Sequence, residues 1–394
     1  MSEKYSKIES LIKELCPNGV EFKSVREIAE ILNGYSFKSS KYTEKGIRVI
    51  RISDVQKGKM SDKDLKFYSL DTKKEIEKYL LKENDLVMSL TGNVGRVAMI
   101  ASVNLPAGLN QRVACIRADE SLVLTRYLFH FFDQDSFETE AMSNATGGGQ
   151  KNMSTTWLAK FKIPVPPLSV QEEIVRILDH FTELEAELEA ELEARKKQYD
   201  FYRDGLLSFG DDVEQKKIEE ICLISRGRVM SKDYLKDNAG KYPVYSSQTV
   251  NYGIFGNIDT YDYDGEYITW TTDGAHAGSI FYRKGKFSIT NVCGLLKVKD
   301  DNVNIKFLSY ILATVSKKYV SSGMGNPKIM SNVMSKIKIP VPPLAEQERI
   351  VSILDKFDDL VNNISIGLPA ELKARRQQYK YYRNKLLTFQ EIQN

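Results

Sequence analysis

The chain has 394 residues, 42% of them hydrophobic, which is enough for two or three domains with ordinary buried cores and excludes a disordered chain as the default. A formal charge of +3 neither demands nor excludes a polyanionic partner. Cys16, Cys115, Cys222 and Cys293 are scattered without a Cys-x-x-Cys pair, which argues for reduced thiols over disulfides or zinc; no apolar run approaches the roughly 18 residues of a membrane span, so a soluble cytoplasmic protein with no membrane partner is expected.

The N-terminal stretch MSEKYSKIESLIKEL lacks the apolar segment of a secretion signal. Residues 11–25 resemble 206–218, as though a helix at 1–19 completed a circular arrangement. A first mixed α/β region, 20–161, has strand patterns at 46–55, 84–90, 96–103 and 112–118, followed by the helical TRYLFHFFDQDSF. Residues 162–210 hold a Pro-rich stop and then a long helix, with Ser169 and Glu172 at capping-box spacing and an apolar stripe through Ile174, Ile177, Phe181, Leu184, Leu188, Leu192, Tyr199, Tyr202 and Leu206. A second α/β region, 211–337, has strand patterns at 266–272, 279–283 and 293–299 before the helical IKFLSYILATVS. Residues 338–394 repeat the Pro-rich stop and the helix, with a stripe through Ile350, Ile353, Phe357, Leu360, Ile364, Leu368, Leu372, Tyr379, Tyr382 and Leu386, and Pro369 is expected to kink it.

The second half repeats the first. KIPVPPLSVQEEIVRILDHF (162–181) and KIPVPPLAEQERIVSILDKF (338–357) share 15 of 20 positions, and ELEARKKQYDFYRDGLLSF (191–209) matches ELKARRQQYKYYRNKLLTF (371–389) at 11 of 19. The expected fold class is therefore α+β: two similar mixed α/β domains joined and spaced by two long helices of roughly 40 residues each, packed as an antiparallel coiled coil with a pseudo-twofold internal repeat. Glutamates at 183, 185, 187, 189, 191 and 193 make the first helix an acidic rod that DNA phosphates would repel, hence a spacer and protein dock or a solvated coiled coil.

No reactive constellation emerges. His130, His180 and His276 sit in unrelated contexts, His130 in an aromatic helix that suggests core packing and His180 on a helix surface. No Walker loop, Gly-x-Ser-x-Gly or His-Glu-x-x-His is present, and the two Val-Pro-Pro segments lack the flanking residues that amino-methyltransferases use. Binding chemistry is more visible. Nine Lys/Arg face four Asp/Glu between Asn33 and Lys66, and small polar, glycine-rich loops recur in both halves. Candidate DNA-contacting residues are Lys38, Ser39, Asn93, Arg96, Gln150 and Lys151 in the first half, and Ser247, Gln248, Thr271, Thr272, Asn326 and Lys328 in the second. Gly147, Gly148 and Gly149 match Gly323 and Gly325 in position; both ordinary turn chemistry and close ligand approach account for them. On these residues alone, a coiled-coil adaptor and an enzyme fused to a dimerisation helix stay open beside a DNA-binding protein.

The twofold PPL-x-x-Q-E-x-I-V-x-I-L-D-x-F pattern, with both helices ending in QYxxYRxxLL, resembles the specificity subunits of type I restriction-modification systems over essentially the whole chain. The resemblance implies a non-catalytic subunit with two target-recognition domains, each reading one half of a split asymmetric DNA sequence. It also implies helices that set the unread gap and dock two methyltransferase subunits, which methylate adenine, with a motor-nuclease (restriction) subunit joining for cleavage. This chain would hold no cofactor of its own: S-adenosylmethionine belongs to the methyltransferase partner, and ATP and magnesium to the restriction partner.

Overall fold

The structure, a computed structural model, describes residues 2–321, 325–363 and 366–392. Gly323 and Ile364, singled out above, lie outside the described residues. The chain divides into two compact units: Met1–Glu189 with Leu372–Asn394, and Ala190–Glu371.

Each unit is built on the same four antiparallel strands in the same spatial order. In unit 1 they are Ala29–Asn33, Val113–Ala118, Leu86–Ser89 and Val97–Met99. In unit 2 they are Cys222–Arg226, Cys293–Val298, Tyr263–Thr271 and Ile280–Ile289. The unit 1 sheet is covered on both faces, which is why every residue of Leu86–Ser89 is buried. Leu86 and Met88 point toward Tyr127, Leu128 and Ile174, while Val87 points toward Ile50 and Leu109.

The units diverge between the first and second core segments in chain order. Unit 1 inserts there two strands, Ile47–Ile50 and Phe67–Tyr68, which form a three-stranded sheet with Ala107–Leu109 from between the third and fourth core segments, and a small hairpin, Val55–Gln56 with Lys59–Met60. Unit 2 instead adds Ala239–Tyr245 and Ile254–Ile258 to the edge of its sheet.

The helix that follows each domain is seated identically. Lys162–Val165 pairs with Glu21–Ser24, and Lys338–Pro340 pairs with Gln215–Lys217. Proline suits these short, two-stranded edges because it removes a donor that a central strand would need. The repeated glutamine is then wholly buried. Gln171 accepts from Leu124 N at 2.9 Å and donates to the carbonyls of Leu122 (3.0 Å) and Pro166 (2.8 Å). Gln347 accepts from Asn304 N at 2.8 Å and donates to Asn302 (2.9 Å) and Pro342 (2.8 Å). The repeated aspartate clamps the helix of its domain: Asp179 meets Arg126 and His130 at 2.7 Å, and Asp355 meets Lys306 at 2.5 Å and Tyr310 at 2.8 Å. The duplicated peptide is thus an anchoring device.

The first long helix is continuous over Leu168–Leu206, 39 residues, or about 58 Å at 1.5 Å per residue. It opens at Leu168, with the Pro167 carbonyl accepting from Gln171 N, so Ser169 lies inside the first turn and is not the cap its spacing suggested. The second is not one kinked helix: Leu344–Val361 ends, and a new helix, Leu368–Leu386, begins. Gly367 (φ +78°) lies just before the new helix and Pro369 falls in its first turn, where a missing N–H costs nothing. Within unit 1, Phe181 stacks on Tyr382 with ring centroids 5.4 Å apart, and Arg376 pairs with Glu185 and Glu189 of the acidic run. Within unit 2, Phe357 stacks on Tyr202 at 5.6 Å, the same pair with the two copies exchanged.

The helix Ser2–Leu15 belongs to unit 1, where Ile8 is buried and Glu9 meets Lys385 at 3.0 Å. Val20 N donates to Gln390 O and Ile392 N to Val20 O, so the segment that follows the helix Ser2–Leu15 is joined by backbone bonds to the segment that follows Leu368–Leu386. All four cysteines are free and buried, and burial pushes the Cys222 thiol up to about 12. Among the described residues no helix is long and apolar enough to cross a membrane.

Candidate DNA interface

At one end of each core sheet three loops converge, and the backbone bonds that join them are the same in both units. In unit 1, Leu90 N donates to Arg112 O (2.9 Å), Gly92 N to Lys151 O (2.9 Å) and Met153 N to Leu90 O (2.8 Å). In unit 2, Thr272 N donates to Val292 O (3.2 Å), Gly274 N to Pro327 O (3.0 Å) and Ile329 N to Thr272 O (2.9 Å). Gly92 (φ +77°) and Gly274 (φ +88°) take the left-handed conformation this joint needs. At Gly147 (φ +109°) a Cβ would fall 2.4 Å from Gln150 O, so this glycine makes the tight turn that displays Gln150 and Lys151.

The structure therefore brings Asn93, Gln150 and Lys151 onto one exposed surface. It continues past Gly92, whose Cβ position is 3.9 Å from Gln150 Nε2 and 4.0 Å from Ile52, to a depression of about 360 Å³ lined by Phe37, Arg51, Ser53 and Asn110–Arg112. Lys38 and Ser39 follow Phe37 and are exposed; the Lys38 backbone is gripped by Tyr68 Oη, which accepts from Lys38 N at 2.6 Å and donates to Lys38 O at 2.9 Å. Arg96 is turned elsewhere, its guanidinium on Glu138 at 3.2 Å and Gln56 at 3.4 Å.

In unit 2, Asn326 and Lys328 are exposed, whereas the side chains of the other candidates donate to backbone carbonyls. Ser247 Oγ and Thr272 Oγ1 both donate to Val292 O, Thr272 N donates back to Ser247 Oγ at 3.2 Å, and Thr271 Oγ1 donates to His276 O. Gln248 Nε2 donates to Ile254 O. Thr271 and Thr272 are buried, so they shape this surface from beneath.

The basic count between Asn33 and Lys66 overstates the free charge. Arg48 is on Asp62, Arg51 on Asp54 and Asp64, Lys66 on Asp64, and Lys57 on Asp135 and Glu138. Gln111 and Arg112, exposed on the central loop, complete the surface; neither is among the residues singled out from the sequence, because it is the bond from Leu90 N to Arg112 O that brings their loop here. Among the described residues no three His, Cys, Asp or Glu side chains are grouped to hold a metal ion. A cavity of about 740 Å³ in unit 2 is lined by Tyr199, Tyr252, Arg283, Lys306, Tyr310 and Asp355.

A family model for the type I restriction modification DNA specificity domain matches residues 17–194 and again 210–374. The chain belongs to the family of type I restriction-modification specificity subunits. Members of this family are non-catalytic and carry the DNA specificity of their systems. A putative type I specificity subunit from Mycoplasma pneumoniae is 45% identical over 234 residues, covering 57% of this chain and 92% of the relative. The EcoR124I/EcoR124II specificity subunit from Escherichia coli is 33% identical over 299 residues, covering 69% of this chain and 72% of its own length. The S subunit of a type I system from M. genitalium has the same fold, with a TM-score of 0.61 at 15% identity over 94% of this chain and 96% of that one. Both matched segments run into the helices, so the duplicated anchor is as much a part of this specificity subunit as the domains it holds.

Proposed function

We propose that this specificity subunit binds double-stranded DNA in the cytoplasm, each unit reading one half of a split, asymmetric target through its three-loop joint. The observation that carries this reading is the repetition of the joint. Two surfaces with the same backbone wiring carry different side chains, Asn93, Gln111, Arg112, Gln150 and Lys151 against His276, Asn291, Asn326 and Lys328. Amide and guanidinium groups pair with base edges, and ammonium groups hold phosphates. A shared scaffold with divergent tips suits two different half-sites.

The helices pair as an antiparallel coiled coil in this reading. They fix the unread gap and dock two methyltransferase subunits in equivalent ways. Phe201 and Tyr381, equivalent in the repeat, are 75% and 62% exposed and supply aromatic anchors of the kind protein interfaces favour. The methyltransferases bring S-adenosylmethionine and methylate adenine in each half-site, and a restriction subunit using ATP and magnesium joins for cleavage.

The experiment is an exchange of residues 20–161 for the first domain of another family member. One half of the methylated motif changes and the other stays; a change in both halves would refute the division of labour.

A further inference from the structure

The core strands of the two units superimpose in register, Met88 facing Val97 as Trp270 faces Ile280, so Arg283 stands where unit 1 has Ile100. Beside Ile100 in unit 1, Val87 and Val113 are wholly buried, and the buried Asp85 opposite it is paired with Arg117 at 2.8 Å. Unit 2 replaces these three with Thr269, Arg283 and Cys293. Arg283 is 6% exposed, and no carboxylate pairs with it among the described residues. A buried cation without a counter-charge is costly, and unit 1 demonstrates that this sheet closes without one.

What Arg283 touches is the loop that carries Ser247 and Gln248. Its Nη2 donates to Tyr252 O at 2.7 Å, its Nε donates to Thr269 Oγ1 at 3.1 Å, and its guanidinium carbon lies 3.6 Å from the centroid of the Tyr245 ring. The loop is strained where Arg283 meets it: Asn251 (φ 51°), Tyr252 (φ 53°) and Gly253 (φ 82°) are all left-handed in succession. Two such residues carry a Cβ, and this conformation persists only where the surroundings enforce it. The enclosure is tight, since a Cβ on Gly253 would sit 3.0 Å from Gln248 O and 3.1 Å from Arg283 Nη2. The same loop reaches the joint through Ser247, which meets Thr272 and Val292, and through Ser246, whose Oγ accepts from Thr290 Oγ1 at 2.9 Å.

We infer that Arg283 is a positioning residue that holds the 246–253 loop in its recognition shape, and so sets the strictness of the half-site read by unit 2 without contacting DNA. This rests on the proposed assignment of one half-site to each unit. Arginine suits the task because its planar fork stacks on a tyrosine while donating in two directions, which a lysine cannot reproduce.

The test uses the full chain carrying Arg283→Met or Arg283→Lys, co-produced with its methyltransferase, with modified adenines mapped at base resolution. Amide exchange is followed on the purified full-length chain. Both variants are expected to relax one or more positions in the half-site that does not change when residues 20–161 are exchanged, leaving the other half intact. Exchange in 246–253 should rise about tenfold or more while the core strands stay protected. Should Arg283→Met fail to fold, the milder Arg283→Lys decides, with a smaller loss confined to the same half. Unchanged strictness and unchanged loop protection in the folded variants overturn the inference, as does equal relaxation in both halves. A wild-type chain that directs no split motif refutes the underlying assignment instead, so the two failures are distinguishable.

Discussion

Replacing Gln171 with methionine, which nearly conserves volume, should cost about 3–5 kcal/mol. The side chain makes three hydrogen bonds at 2.8–3.0 Å in a wholly buried setting. Each such bond contributes about 1 kcal/mol net, giving a floor near 3 kcal/mol, and the Leu124 N–H and two carbonyls left without partners in a dry site raise the figure. The same substitution at Gln347 removes an equivalent set, so the expected cost is the same. Denaturant unfolding of the full chain measures the loss, and amide exchange locates it. The Leu124 amide should exchange faster in Gln171→Met while the Asn304 amide stays protected, and the reverse should hold for Gln347→Met. A loss below about 1 kcal/mol, or equal acceleration at both amides in either variant, would refute the claim that each glutamine anchors its own unit.

Other outcomes rest on contrasts between the copies. Arg383→Met leaves the buried Asp133 without its partner and should cost about 3–5 kcal/mol, whereas Arg203→Met, which breaks pairs only with the exposed Asp200 and Asp204, should cost less than about 1 kcal/mol by the same unfolding assay. His130 is buried with Tyr379 on Nδ1 and Asp179 on Nε2, and burial pushes its pKa from 6.5 down to about 4. The unfolded chain therefore takes up a proton that the folded chain refuses, and stability should fall as pH drops from about 6.5 toward about 4; His130→Gln should flatten that part of the stability–pH profile. Deleting one Glu-Leu-Glu-Ala unit from 183–194 shortens the helix by about 6 Å and rotates its C-terminal part by about 40°. The methylated motif should keep both half-sites and change its gap, and an unchanged gap would show that this helix is not the spacer.

The duplicated anchor was legible because it is written in residues that packing cannot vary: a proline pair, a buried glutamine with three bonds, an aspartate on the domain helix. Three of the four core strands in each unit were legible through their apolar runs, Leu86–Ser89 and Cys293–Val298 among them, but Ala29–Asn33 and Cys222–Arg226, each following directly on a short helix, were not. The insertions were less so, because the first domain's extra sheet and the second's edge strands share neither length nor pairing, and only Ile47–Ile50 of the former had a clear apolar signature. Side-chain direction was not legible at all. Arg96 and Thr272 have the residue types of DNA contacts, but long-range partners, Glu138 and Val292, take their polar atoms. The end of one helix at Val361 and the start of another at Leu368 were not legible, since Pro369 reads as a kink until Gly367, at φ +78°, is seen to let a new helix begin.

The most direct test of the central claim is a base-resolution map of adenine methylation in cells with and without this chain, alongside its methyltransferase. A split motif with marks on opposite strands that depends on the chain is the predicted result. A soluble, assembled complex that produces no chain-dependent motif would contradict it.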